Sequence, residues 1–191
     1  MLKECSAEDI KEALAGYKRR TLPETPVRAA VLLPVISGGC GAEILFTKRP
    51  VMLNAHGGEV SFPGGVYESN DTNLEETALR ETFEEVGIKR EQISIIGALD
   101  DQLSKAGFRV TPFVGLINKP FNMNVSPDEV ERIYKVPVAY FTDTRTSWTE
   151  KWVREGEART VYFHRYDDDI IWGLTAKFVD NFLRSIKALD I

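Results

Sequence analysis

Apolar and polar positions alternate with two different periods along this chain, and the periods divide it into elements. Residues Ala7 to Tyr17 carry apolar side chains at helical spacing, and the prolines of "TLPETPV" stop the helix that this spacing predicts. "RAAVLLPVI" (Arg28 to Ile36) and "EILFTKR" (Glu43 to Arg49) read as strands, joined by the glycine-rich turn "SGGCGA" as a hairpin. A glycine-rich loop, His56 to Gly65, comes next. Three N-cap types, Asp71, Thr72 and Asn73, then open a second helix, with Thr72 to Glu75 or Asn73 to Glu76 as capping boxes, and Gly87 closes it.

Further on, "QISIIGALD", "RVTPFVGLI" and "ARTVYFHRY" read as strands, and a C-terminal helix starts at about Thr175. Ala78, Leu79, Thr82, Phe83 and Val86 form an arc of the second helix suited to packing. Strands with helices before, between and after them predict a mixed α/β domain with helices on both faces of a sheet. The 191 residues form one domain, 1–191, with 1–26 as an N-terminal helical extension and no internal repeat.

The chemistry is concentrated in "RETFEEVG", residues 80–87. Glu84 and Glu85 lie three and four positions beyond Glu81, so the three carboxylates share one stripe of the helix and repel one another. A hard divalent cation would relieve that repulsion, since such ions are held by one or two carboxylates together with substrate phosphates. A solvated acidic surface is the alternative reading of the same stretch.

Composition narrows the partners. With 43% hydrophobic and 28% charged residues the chain has a globular profile. A formal net charge of -5 argues against a nucleic-acid polymer as the main partner, while leaving room for a small anionic substrate at a locally cationic or metal-bearing pocket. Charges interrupt the N-terminal stretch, and no segment approaches the ~20 apolar residues of a membrane span, so the expectation is a cytoplasmic protein without a membrane partner. Cys5 and Cys40 are expected to be reduced thiols.

Taken together, Gly64 to Ile88 resembles the signature of the Nudix hydrolases, G-x5-E-x7-R-E-U-x-E-E-x-G-U with U aliphatic. The box spans residues 65–88. Arg80, Glu81, Glu84, Glu85, Gly87 and Ile88 fall on consensus positions, and Thr82 stands where an aliphatic residue is usual. Asp71 stands at the place of the first glutamate, separated from Arg80 by eight residues rather than seven. Upstream, Leu45-Phe46-Thr47-Lys48-Arg49, Gly58 and Phe62-Pro63-Gly64-Gly65 are similar to the motif L-L-T-x-R-S-x3-R-x3-G-x3-F-P-G-G of the coenzyme A pyrophosphatase branch, with differences at Phe46, Pro50 and Asn54. "VTPFVGLI", "SPDEVERIYKVPV" and "WGLTA" extend the likeness over most of the chain after about residue 27.

This resemblance implies an α/β/α sandwich with a mixed sheet between helices. It also implies hydrolysis of the pyrophosphate of coenzyme A or acyl-CoA to 3',5'-ADP and 4'-phosphopantetheine with Mg2+ or Mn2+. Glu81, Glu85 and Glu84 become metal ligands together with the carbonyl of Gly65. Arg80 becomes the partner that fixes a carboxylate, and Arg49, Phe62, Gly64 and Gly65 become substrate-binding residues. Other nucleoside diphosphate derivatives, such as ADP-ribose or NADH, and a non-catalytic nucleotide-sensing domain are the rival readings; self-association into a homodimer is left open.

Several residues carry blander expectations. Arg49 reads either as an anion contact or as a surface cation, and Glu129 either as a helix-start carboxylate or as an added ligand or base on a loop. His56 shapes the glycine loop, His164 is strand surface, Asp167 to Asp169 a solvated turn, and Trp172 core.

Overall fold

The computed structural model of the chain describes residues 5–38, 41–52, 56–154 and 156–186. Helix α1 (Ala7–Ala15) starts at a capping box of Ser6 and Asp9. Strands β1 (Arg28–Gly38) and β2 (Gly41–Lys48) pair antiparallel, as the hairpin pattern predicts; the turn residues 39–40, with Cys40, lie outside the described residues, as does Asn54. Two short strands, β3 (Val60–Ser61) and β4 (Gly64–Val66), flank the end of the glycine loop, and α2 (Leu74–Val86) follows. Its N-cap is Asn73, whose side chain accepts from the Glu76 N–H at 3.0 Å; the reciprocal half of the predicted box is not made, and Thr72 is not the cap.

Strands β5 (Ile93–Ala98), β6 (Gln102–Leu103), β7 (Arg109–Ile117) and β8 (Arg132–Pro137) complete an eight-stranded sheet. Its main path runs β3-β2-β1-β7-β5, with β4 beside β1, β6 beside β7 and β8 beside β2. The β1–β7 pair is parallel and the others are antiparallel, so the sheet is mixed. Central β1 is buried on both faces, which explains its unbroken apolar run. Ala30, Leu32 and Ile36 face α2, against Ala78, Leu79 and Val86. Leu33 and Val35, one residue out of phase, face Ile10, Leu14, Phe178 and Phe182 of α1 and α3 (Gly173–Ser185). The expected α/β/α layering is therefore present. No helix among the described residues is long and apolar enough to cross a membrane.

A second sheet, β9 (Ser147–Arg154), β10 (Glu157–Tyr166) and β11 (Asp169–Trp172), packs on α3, and the chemistry of its two faces corrects three expectations. Trp172 is not core but 37% exposed, at the end of a row in which Trp148, Phe163 and Trp172 stand opposite one another on adjacent strands with nearly parallel rings. His164, one residue from Phe163, points to the opposite face. It is buried rather than on the surface, with Nδ1 2.7 Å from Ser147 Oγ. Asp167 to Asp169 do form a turn, but Asp169 is tied to Lys48 at 3.0 Å and to the Tyr134 hydroxyl. Cys5 is a free, buried thiol.

At the C-terminus of α2, Gly87 adopts φ 73, and the loop beyond β7 closes over the helix end: Asn124 N–H donates to the Val86 carbonyl at 3.0 Å and Ser126 N–H to the Glu85 carbonyl at 2.9 Å. A Cβ on Gly87 would sit 2.5 Å from the Asn124 nitrogen. Gly87→Ala is expected to cost about 2–4 kcal/mol, from left-handed strain plus the displaced loop, lowering Tm by roughly 5–10 °C. Urea unfolding of the variant checks this, and a loss under about 0.5 kcal/mol contradicts it.

Candidate active site

Depth separates the three glutamates that share a stripe of α2. Glu85 is 3% exposed, Glu81 is largely covered, and Glu84 stands in solvent. What covers Glu85 comes from strands distant in sequence. The Thr47 hydroxyl of β2 donates to its Oε2 at 3.3 Å, and the Gly64 N–H at the start of β4 to its Oε1 at 3.4 Å.

Glycine leaves room for close neighbours at both β4 positions. A Cβ on Gly64 would lie 2.4 Å from the Ala30 carbonyl oxygen, and one on Gly65 would lie 2.4 Å from Glu81 Oε1. The two glycines therefore let β4 lie flat on β1 while Glu81 packs directly on the β4 backbone. Phe62 stands elsewhere than on the substrate surface expected for it: it is 3% exposed and stacked on Phe46 at 4.8 Å, supporting the loop from within the core.

Arg80 holds the cluster together. Its Nε and Nη2 clasp both oxygens of Asp71 at 2.9 and 3.1 Å, its Nη1 reaches Glu81 at 2.8 Å and Glu84 at 3.0 Å, and its Nη2 also reaches the Val66 carbonyl at 3.2 Å. Asp71 in turn accepts from the Thr77 hydroxyl and the Glu68 N–H, both at 2.9 Å. The shorter acid and the extra residue before Arg80 thus still deliver a carboxylate to the guanidinium. The Arg80 bond holds the Asp71 carboxyl down at about 2 despite its burial, and Asp71 holds the guanidinium firmly protonated.

The other carboxylates move the opposite way. Burial pushes the Glu85 carboxyl up to about 7, with the Gly64 N–H and the Arg49 charge opposing and Glu81 and Glu129 adding to the rise. Burial also raises Glu81, with Arg80 opposing and Glu84 and Glu129 adding. Glu129 therefore belongs to the same field. It sits in a turn, where its N–H donates to the Ser126 carbonyl at 3.2 Å, and no helix starts there.

Arg49 lies just past the end of β2, its backbone pinned to the glycine loop by bonds to Glu59 and Gly58. Its Nε is buried without a hydrogen-bond partner among the described residues, a donor that calls for an acceptor. His56, exposed and at φ 58, bonds Glu59 at 2.9 Å and shapes the loop, as expected.

Among the described residues no three His, Cys, Asp or Glu side chains converge as a metal cluster. The donors present nevertheless suit a hard cation. Glu81 and Glu85 offer carboxylate oxygens that are poorly solvated and mutually repelling, and two protein carboxylates completed by substrate phosphates are an ordinary Mg2+ arrangement.

Comparison with known proteins points to one family. A model of the NUDIX domain matches residues 26–171. Over 175 residues the chain is 35% identical to a protein of Photorhabdus laumondii named "Uncharacterized Nudix hydrolase NudL", covering 87% of this chain and 92% of the relative. Over 152 residues it is 36% identical to the protein of the same name from Citrobacter koseri, covering 80% and 79%. The crystal structure of a MutT protein from Methanosarcina mazei shares the fold, with a TM-score of 0.52 at 16% identity over 92% of this chain and 100% of that one.

The Asp71–Arg80 clasp generates a prediction with a pH signature. Asp71→Asn removes the charge that anchors a mostly buried guanidinium and is expected to cost about 2–4 kcal/mol at pH 7. Because the folded carboxyl titrates at about 2, below the ordinary 3.8, its stabilisation is complete above about pH 5 and is lost as pH falls toward 2. The gap between wild type and variant should therefore narrow by about 1 kcal/mol at pH 3. Urea unfolding at both pH values measures it; a gap independent of pH contradicts the ionised clasp.

Proposed function

This chain belongs to the Nudix hydrolase family, and from that premise we propose that it is the pyrophosphohydrolase of coenzyme A or acyl-CoA, yielding 3',5'-ADP and (acyl-)4'-phosphopantetheine. The observation that carries this reading is the pairing of two desolvated, self-repelling carboxylates, Glu81 and Glu85, with Arg49, whose charge acts on Glu85 and whose buried Nε has no hydrogen-bond partner among the described residues. The upstream motif, Leu45 to Arg49 with Gly58 and Phe62 to Gly65, supports coenzyme A over other nucleoside diphosphate derivatives such as ADP-ribose and NADH.

Glu81, Glu85 and Glu84, together with the Gly65 carbonyl, would hold Mg2+ or Mn2+. Bound there, such an ion supplies neutralisation of phosphoryl oxygens and a more acidic water. The chain's own residues do the rest. Arg80 fixes Glu81 and Glu84 from behind, while Gly64 and Thr47 fix Glu85. The glycine loop brings backbone close to the substrate, and Arg49 offers its free N–H to a phosphate oxygen. Water attacks phosphorus, the bridging P–O bond breaks, and each half leaves with a phosphate. The free thiol of Cys5 and the acidic composition suit a cytoplasmic enzyme.

Incubating the purified protein with coenzyme A and Mg2+ or Mn2+, beside ADP-ribose and NADH, and identifying products by mass tests the assignment; 3',5'-ADP is the expected product. Faster turnover of another diphosphate moves the substrate class, and no turnover of any supports a sensing domain. On coenzyme A, Arg49→Ala should raise KM roughly tenfold, a loss of about 1.4 kcal/mol, with a smaller effect on kcat, because an anion contact remote from bond breaking binds substrate and transition state alike. Unchanged kinetics would return Arg49 to an ordinary cation.

A further inference from the structure

Glu85 is the most buried of the acids on α2, and its two oxygens are held from two different strands. The Gly64 contact comes from the backbone. The Thr47 contact is a side-chain choice. Thr47 is 1% exposed, on the face of β2 turned toward α2, and its hydroxyl lies between two acceptors: Glu85 Oε2 at 3.3 Å and the carbonyl of Ser61, its partner on β3, at 3.4 Å. A hydroxyl has one proton, so the two acceptors compete for it. Ser61 lies on the strand that leads directly into the glycine loop, and two residues beyond Thr47 stands Arg49, whose charge also acts on Glu85.

We infer that Thr47 is a positioning residue: its hydroxyl fixes the orientation of the Glu85 carboxylate toward the cation site and ties that orientation to the strand entering the glycine loop. Hydrogen bonds to a metal-ligating carboxylate set where its free lone pairs point, and losing one typically weakens metal affinity or activity by about 10–100-fold. Without Thr47, Glu85 keeps among the described residues only the long Gly64 contact and can rotate about its last bond. Valine keeps the size of threonine and removes only the hydrogen bond, whereas serine keeps the hydroxyl and removes a methyl group. The inference rests on Glu85 being a cation ligand.

The experiment is a Mn2+ titration of the free protein, read by the electron paramagnetic resonance of unbound Mn2+, on wild type, Glu85→Gln, Thr47→Val, Thr47→Ser and Thr47→Ala. Thr47→Val is expected to bind Mn2+ about tenfold more weakly, Thr47→Ala likewise, and Thr47→Ser within about threefold of wild type. At saturating metal, KM for coenzyme A should stay unchanged in Thr47→Val while kcat falls. Should the valine variant fail to fold, the serine and alanine variants, which both lack the methyl group and differ only in the hydroxyl, decide the point alone. Wild-type Mn2+ affinity in Thr47→Val, or equal weakening in Thr47→Ser and Thr47→Ala, overturns the inference. If Glu85→Gln leaves Mn2+ affinity intact, the ligand reading of Glu85 fails with it; if Glu85→Gln weakens binding and Thr47→Val does not, only the positioning role fails.

Discussion

Like charges brought close together in a poorly solvated cleft need a counter-charge to hold them there, and here it is the Arg80 guanidinium. Clasped on one side by Asp71, it spreads its remaining N–H groups over Glu81, Glu84 and the Val66 carbonyl. It does not reach Glu85, whose charge is left to a threonine hydroxyl, a backbone N–H and the field of Arg49. The cluster is therefore under-neutralised at one end, and that imbalance is what a divalent ion and a diphosphate would together relieve.

The fold serves this imbalance through its two central layers. Strand β1, buried on both faces, carries α2 on one face and pairs with β4 along its edge, which places the Gly64–Gly65 backbone against the acidic stripe. Strand β2 contributes Thr47 to the same point and ends one residue before Arg49. Helix, glycine loop and strand end thus meet because β1 organises all three, and the loop from Asn124 to Val130 closes the far end of α2 and brings Glu129 into the field.

Local order was legible in the sequence and depth was not. The start and end of α2, the β1–β2 hairpin and the glycine loop were readable because caps, turn residues and spacing act over a few positions. That Glu84 is solvated while the adjacent Glu85 is buried depends on Thr47 and Gly64, 38 and 21 residues away, which helical periodicity does not reveal. His164 and Trp172 were misplaced for a related reason: a strand's alternation gives two faces but not which one is inside, and a one-residue shift exchanges them. Strand β8 was passed over because "ERIYKVP" is a charged edge strand next to a proline, with little alternation to mark it.

The central claim, that Glu85 is a buried anion kept for a cation rather than for the fold, is tested most directly by Glu85→Gln. Turnover at saturating Mg2+ is measured beside the melting temperature in chelator. The account predicts a fall in kcat of roughly 10^2-fold or more, a loss of about 3 kcal/mol in the transition state, because a neutral amide replaces an anionic ligand. It also predicts metal-free stability that is unchanged or slightly raised, because the carboxyl, pushed up to about 7 by burial, loses a charge the cleft solvates poorly. Near-wild-type turnover would contradict the assignment outright, and lost activity accompanied by clear unfolding would show that Glu85 serves the fold instead.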